Sequence, residues 1–322
     1  MRFALIGAGM AGGRYARIIS EHEGWELAAV VSNRLKSAEK LTAQYGGIAY
    51  ADGDVSKALK EQSVDIGILA APEWIRHDPI SAITKAGKHL FYEKPLAVSW
   101  SEGKKNHALL KSVEKDYLSM PAFTLRFTPQ FVSAHQYLQS GGLQTIRHIY
   151  SRRNGNQIIA RRISGKFSPF YWLSPHDIDL IRWLTGSEVS WVESTLSDGS
   201  LKGTGGYIMA RLHMENGIDV QHLVSWCVPE ISGISNQTMF EIFGTAGVLE
   251  LNEKQEFGKV FQGDNRIDTF DVSYAPIVDG TFVGPFRQAL EHFVRCVREH
   301  RQPSPNTNDA FATVKVCAAL EL

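Results

Sequence analysis

The sequence predicts an α/β protein in two parts: a doubly wound parallel sheet over residues 1–121, and an α+β domain over residues 122–322 built on a large, mainly antiparallel open sheet. Short apolar runs alternate with amphipathic stretches through the first third of the chain, the pattern of βαβ units with helices on both sheet faces. Beyond Arg126-Phe127-Thr128-Pro129, runs rich in Val, Ile, Thr and aromatic residues are joined by turns containing Gly, Asn or Asp. A length of 322 residues also exceeds the size at which one hydrophobic core usually stops growing.

Taken in order, apolar runs place strands at Arg2–Ile6, Glu26–Val31, Ile48–Tyr50, Asp65–Ala71, Lys88–Tyr92 and Tyr117–Met120. Apolar residues at three- and four-residue spacing place helices between them at Ser37–Tyr45, Val55–Lys60, Pro79–Ala86 and Ser99–Lys115. One helix, Phe131–Gln139, opens the second part. Strands follow at Thr145–Arg152, Val189–Thr195, Tyr207–Met214, Ile218–Trp226, Thr238–Phe243 and Gly247–Leu251, with Asn216-Gly217 as a strong hairpin signal. Helices return at Pro285–His300 and Asn308–Leu320.

Equal numbers of basic and acidic side chains, 34 of each, remove the broad field on which nucleic-acid and anionic-membrane binders depend. Neither partner is expected. Cys227, Cys296 and Cys317 are too few and scattered for a disulfide framework and lack zinc-ligand spacing, so no metal is expected. Reduced cysteines, and no apolar segment long enough to span a bilayer, make a cytoplasmic location the expectation.

Gly7-Ala8-Gly9-Met10-Ala11-Gly12 follows the first strand directly and precedes an amphipathic helix carrying Tyr15, Ile18 and Ile19. In that setting the first glycine permits a tight turn, the second lets the backbone approach a pyrophosphate, and the third allows close helix–strand packing. Free amides at the helix start then bind the phosphates. This is the signature of a Rossmann-type dinucleotide-binding domain. At the end of the second strand an acidic residue would bind the ribose 2′-hydroxyl of NAD. Here the chain reads Ser32-Asn33-Arg34, two hydrogen-bonding side chains and a guanidinium, which suit the 2′-phosphate of NADP. NADP is therefore expected ahead of NAD.

The fifth strand ends in Glu93-Lys94-Pro95, where ligands of open α/β sheets bind. With the glycine loop, Ala71-Pro72, Glu93-Lys94-Pro95, Arg126-Phe127-Thr128-Pro129 and His176-Asp177-Ile178-Asp179, the sequence resembles the glucose-fructose oxidoreductase, inositol dehydrogenase and MocA family over nearly its whole length. That resemblance implies a substrate domain whose open sheet commonly serves oligomerisation, as a dimer or tetramer, and a small-molecule substrate held over the nicotinamide. It makes Lys94 the catalytic lysine and brings His176 to the substrate hydroxyl. An ammonium beside the reacting oxygen lowers the energy of developing alkoxide charge and can pass it a proton. Glu73, Trp74 and His77 are candidates for lining the cleft, His77 for the cofactor.

Ser174-Pro175-His176-Asp177 reads as a helix start, with Ser174 at the N-cap, Pro175 at the first helical position and Asp177 in a capping-box position. His176 would then lie in the first turn, where the helix dipole favours neutral imidazole. Family dehydrogenases typically carry an aspartate four residues before this histidine. Trp172 stands there instead, and it cannot accept a proton. Three readings stay open: Lys94 and His176 suffice; Asp177, Asp179 or Tyr171 takes over; or ordinary polyol dehydrogenation is lost. Trp172 could also offer an apolar face to a ring.

Arg152, Arg153, Arg161, Arg162 and Lys166 come with no intervening acid. Arg161 and Arg162 are candidates for holding an anionic substrate, and Arg126 is a further substrate-binding candidate. The expected function is an NAD(P)-dependent dehydrogenase or reductase acting on a hydroxyl/carbonyl pair of a sugar, cyclitol or related polyol derivative. A non-catalytic sensor on the same fold, or a reductase of C=N or conjugated bonds, is the alternative.

Overall fold

Six parallel strands form the first sheet: β1 (Arg2–Ile6), β2 (Glu26–Ser32), β3 (Ile48–Ala51), β4 (Ile66–Leu69), β5 (His89–Tyr92) and β6 (Ser119–Pro121). Their spatial order is β3-β2-β1-β4-β5-β6, so the winding reverses between β1 and β4. Ligands of such sheets bind in the crevice at that reversal, beyond the carboxyl ends of the strands. The strands are apolar on both faces: Phe3, Ala4, Leu5, Ala29, Val30, Ile66, Ile68, Leu69 and Phe91 are buried. Five helices connect them: α1 (Met10–Ser20), α2 (Leu35–Tyr45), α3 (Val55–Glu61), α4 (His77–Lys85) and α5 (Trp100–Lys111).

This computed structural model describes all residues except 52–53, 165, 169, 198–205, 231–235, 255–256, 262–266, 272–275 and 322. The chain divides into two units, Met1–Thr124 with Ile277–Ala312, and Leu125–Pro276 with Thr313–Leu322. An unbroken second domain over residues 122–322 is therefore corrected, because 277–312 return to the first unit.

The second unit holds α6 (Pro129–Gln139), α7 (Gln157–Ile163) and α8 (Phe170–Thr185). Its mixed sheet has the order β12-β11-β7-β10-β9-β8. Those strands are β7 (Ile146–Asn156), β8 (Val189–Ser197), β9 (Tyr207–Met214), β10 (Asp219–Val228), β11 (Asn236–Gly244) and β12 (Val248–Lys254). Only the β7–β10 pair within it runs parallel. Alternation along β7 and β10 buries Ile149, Ser151, Arg153, Val220, His222 and Val224 on one face, where α8 packs against both strands. The opposite face leaves Trp191, Met209 and Val248 exposed. A short ribbon pairs β13 (Phe257–Phe261) with β14 (Ile267–Asp271), and in the first unit another pairs β15 (Ile277–Val278) with β16 (Thr281–Phe282).

Two further helices close the chain, α9 (Pro285–Arg298) and α10 (Thr307–Ala319). The first unit explains why α9 returns. In a doubly wound sheet, α1 and α2 cover one face of one half, while α4 and α5 cover the opposite face of the other half. The α1 side of β4 and β5 is thus left bare, and α9 packs on β5 and α1. Phe293 meets Phe91 with ring centroids 5.7 Å apart, and Phe286 meets Tyr15 at 5.9 Å. Phe286, Leu290, Phe293 and Val294 are all buried, worth roughly 6–12 kcal/mol at ~1.5–3 kcal/mol each. No described helix is long and apolar enough to cross a membrane.

Candidate active site

The glycine loop stands at the carboxyl end of β1, beside the winding reversal between β1 and β4. Gly7 has φ +112°, and a Cβ there would lie 2.4 Å from Ala70 O. A Cβ at Gly12 would lie 2.0 Å from Gly7 O, so the third glycine is required by helix–strand contact. Around Gly9, by contrast, a Cβ would meet nothing within 4 Å. Gly9 is also the N-cap of α1, and it provides no side-chain cap to the helix amides. Open space in front of uncapped amides is what a pyrophosphate needs, so the residues fit a dinucleotide.

Ser32 ends β2 and is buried, with its Oγ accepting a hydrogen bond from Arg34 N at 3.3 Å. Asn33 and Arg34 are exposed, and Arg34 is the N-cap of α2. A guanidinium and the helix start thus face solvent together at the second strand's end.

Next along the edge come Ala71 and Pro72 after β4, then Glu93, Lys94 and Pro95 after β5. Tyr15 Oη donates to Glu93 Oε1 at 2.6 Å. Burial raises the Glu93 carboxyl above its ordinary pKa, opposed by that hydrogen bond and by the Lys94, Arg76 and Arg14 cations. Lys94 is buried, an unusual place for an ammonium. His77 opens α4, and its Nδ1 donates to Asn106 Oδ1 at 2.7 Å. The sheet order β2-β1-β4-β5 therefore gathers Gly7–Gly12, Ser32–Arg34, Ala71–Pro72, His77 and Glu93–Pro95 along one edge.

Arg76 was not singled out by the sequence, since one arginine before a helix carries no pattern. It is nevertheless buried, and burial lowers its pKa. Its Nη1 donates to Ala71 O at 2.8 Å and Pro72 O at 3.0 Å, its Nε to Pro95 O at 2.9 Å, and its Nη2 to Lys94 O at 3.4 Å.

In the second unit the expected helix start is corrected. The helix begins at Phe170, so Ser174 is buried within it and Pro175 is interior. Burial of Phe170, Tyr171 and Leu173 extends the apolar stripe by a turn and outweighs the local Ser-Pro signal. His176 consequently lies beyond the first turn, where the dipole effect has faded. Trp172 and His176, four residues apart, share the partly exposed side of α8, and Trp172 meets Trp226 at a centroid distance of 5.5 Å.

Both helix carboxylates are committed to arginines. Asp177 accepts from Arg153 Nε at 2.8 Å and pairs with Nη2 at 2.7 Å, and both side chains are buried. Asp179 accepts from Arg126 Nε at 2.8 Å and Nη2 at 2.6 Å, also buried. The capping-box role of Asp177 is thus replaced by an ion pair, and the Arg126 guanidinium anchors α8. Arg152 and Arg153 point to opposite faces of β7, and exposed Arg161 pairs with Glu230 at 2.8 Å. Arg162 is exposed on α7.

Comparison with known proteins bears on this arrangement. A family model described as "Oxidoreductase family, NAD-binding Rossmann fold" matches residues 1–119, and one described as "GFO/IDH/MocA C-terminal domain" matches residues 131–250. The chain is 28% identical over 200 residues to 4-carboxy-2-hydroxymuconate-6-semialdehyde dehydrogenase of Sphingobium sp., covering 59% of this chain and 60% of that protein. It is 23% identical over 328 residues to inositol 2-dehydrogenase of Rhizobium meliloti, covering 99% of this chain and 95% of that one. The solved scyllo-inositol dehydrogenase of Lactobacillus casei with bound NAD(H) and scyllo-inositol shares the fold at TM-score 0.82 and 18% identity, covering 100% of this chain and 96% of that one.

Proposed function

We propose that this chain, which belongs to the GFO/IDH/MocA oxidoreductase family with its NAD-binding Rossmann domain, interconverts a hydroxyl and a carbonyl on a sugar, cyclitol or related polyol derivative. The supporting observation is a buried lysine at the carboxyl end of β5, two strand positions from the glycine turn of β1. Two strand spacings are roughly 10 Å, within the length of a dinucleotide lying along the edge. Hydride exchange is the chemistry that a nicotinamide supplies when bound. Gly7, Ala8, Gly9, Met10, Ala11 and Gly12 would hold its pyrophosphate, and Ala71, Pro72, His77, Glu93 and Pro95 would line its course. Lys94 holds or gives up the proton of the reacting oxygen and stabilises negative charge on it. His176, with Trp172 beside it, serves as the second proton-carrying group and substrate contact. Arg161 and Arg162, both exposed on α7, are the candidates for contacting an anionic substituent. Arg126 is paired with Asp179.

NADP is the proposed cofactor in preference to NAD, on the exposed Arg34 beside Ser32 and Asn33. The deciding assay follows nicotinamide absorbance over a panel of cyclitols, aldoses and their carboxylated derivatives with either dinucleotide. Turnover with at least one polyol, faster with NADPH or NADP, is expected. Arg34→Ala should weaken NADPH by about 10–100-fold, the size of a lost charge-assisted contact, with little change for NADH. Tight dinucleotide binding without turnover on the whole panel would favour a sensor, the reading that Trp172 and the committed carboxylates of Asp177 and Asp179 support.

Assembly as a homo-oligomer through the open face of the second sheet is also proposed. Trp191, Met209 and Val248 stand exposed there among polar neighbours. Light scattering should give at least a dimer, and Met209→Arg should reduce its mass; a parent monomer at micromolar concentration would refute this.

A further inference from the structure

We propose that Arg76, together with the His77–Asn106 pair, is a positioning device that fixes the main chain carrying Lys94. The inference rests on the reading of Lys94 given above. Burying a guanidinium is costly unless its donors are met, and here they are met by backbone. Nη1 is bound to Ala71 O and Pro72 O in the turn after β4, while Nε and Nη2 reach Pro95 O and Lys94 O in the turn after β5. One rigid planar group therefore joins two loops just past the ladder bonds that Ala70 N makes to Ile6 O and Glu93 N makes to Leu69 O. The adjacent residue adds a second tie: His77 Nδ1 donates to Asn106 Oδ1, and the fully buried Asn106 donates through Nδ2 to Leu96 O at 3.0 Å.

The carbonyls of Lys94 and Pro95 are thus held by Arg76 at the start of α4, and that of Leu96 by Asn106 on α5, which His77 of α4 in turn holds. A flexible lysine side chain has its root fixed, and a shift of about 1 Å in such a group can cost 10²-fold in rate. Lysine in place of Arg76 keeps the charge but has no planar fork, so it cannot reach both turns at once.

The test uses Arg76→Lys, Asn106→Ser and Lys94→Met in the full-length chain, with dinucleotide Kd by fluorescence and separate kcat and KM. Arg76→Lys is expected to lower kcat by about 100-fold, with Kd and substrate KM within about threefold of the parent. Asn106→Ser should lower kcat by roughly 5–10-fold in the same pattern, and reads the second tie should Arg76→Lys not fold. Parental kcat in either folded variant, beside an inactive Lys94→Met, overturns the positioning role alone. Parental kcat in Lys94→Met overturns the lysine reading and the positioning role with it. A loss of dinucleotide affinity matching the loss of rate would assign Arg76 to general loop integrity and also overturn the proposal.

Discussion

Lys94→Met is expected to lower kcat by about 10³-fold or more while leaving dinucleotide affinity within about twofold of the parent. Methionine matches the four-atom apolar stem of lysine, so most of the buried site stays filled, while the ammonium and its proton are lost. General acid–base transfer contributes about 10²–10⁴-fold, and a group stabilising the developing oxyanion about 10²–10³-fold. A factor of 10³ is about 4 kcal/mol of transition-state stabilisation. Retained binding is expected because the proposed pyrophosphate contacts lie on the glycine loop, at another strand end. Stopped-flow turnover under single-turnover conditions, paired with fluorescence titration, measures both quantities. Activity within tenfold of the parent would remove Lys94 from the chemistry.

The second large effect concerns stability. Asp177→Ala should cost about 3–5 kcal/mol, because it leaves the buried Arg153 guanidinium without its carboxylate. That corresponds to a fall in Tm of roughly 10 °C. Replacing both partners by apolar residues, Arg153→Met with Asp177→Leu, should restore most of the loss, since the pair's own desolvation cost disappears with it. Thermal scans of the single and double variants make the comparison. A double variant as unstable as the single would mean that the pair does more than satisfy itself.

How much of this was legible in the sequence follows from the range of each interaction. Strands β1, β2 and β9 and the glycine loop are written in local periodicity and in glycines a few residues apart, and they lie where expected. The start of α8 was misplaced because Ser174-Pro175 is a strong local signal, while the burial of Phe170 and Tyr171 that overrides it is a tertiary effect. Two ion pairs were hidden for a similar reason: Arg153 and Arg126 find their carboxylates 24 and 53 residues away, on a helix that the sequence around either arginine does not reveal. The sequence carries the acids and the bases but not their pairing. Arg76 was missed because its partners are carbonyls, which every residue has.

The return of α9 to the first unit has a consequence for synthesis. Residues 1–124 leave the ribosome first, but the helix that covers Tyr15 and Phe91 lies beyond residue 276. At ~5–20 residues per second, the intervening stretch of roughly 150 residues takes about 8–30 s to translate. Throughout that interval one side of β4 and β5 has no helix to cover it. The nascent first unit is therefore a natural client for a chaperone that binds apolar sheet surface, and a chain stopped short of α9 would be left in that state permanently.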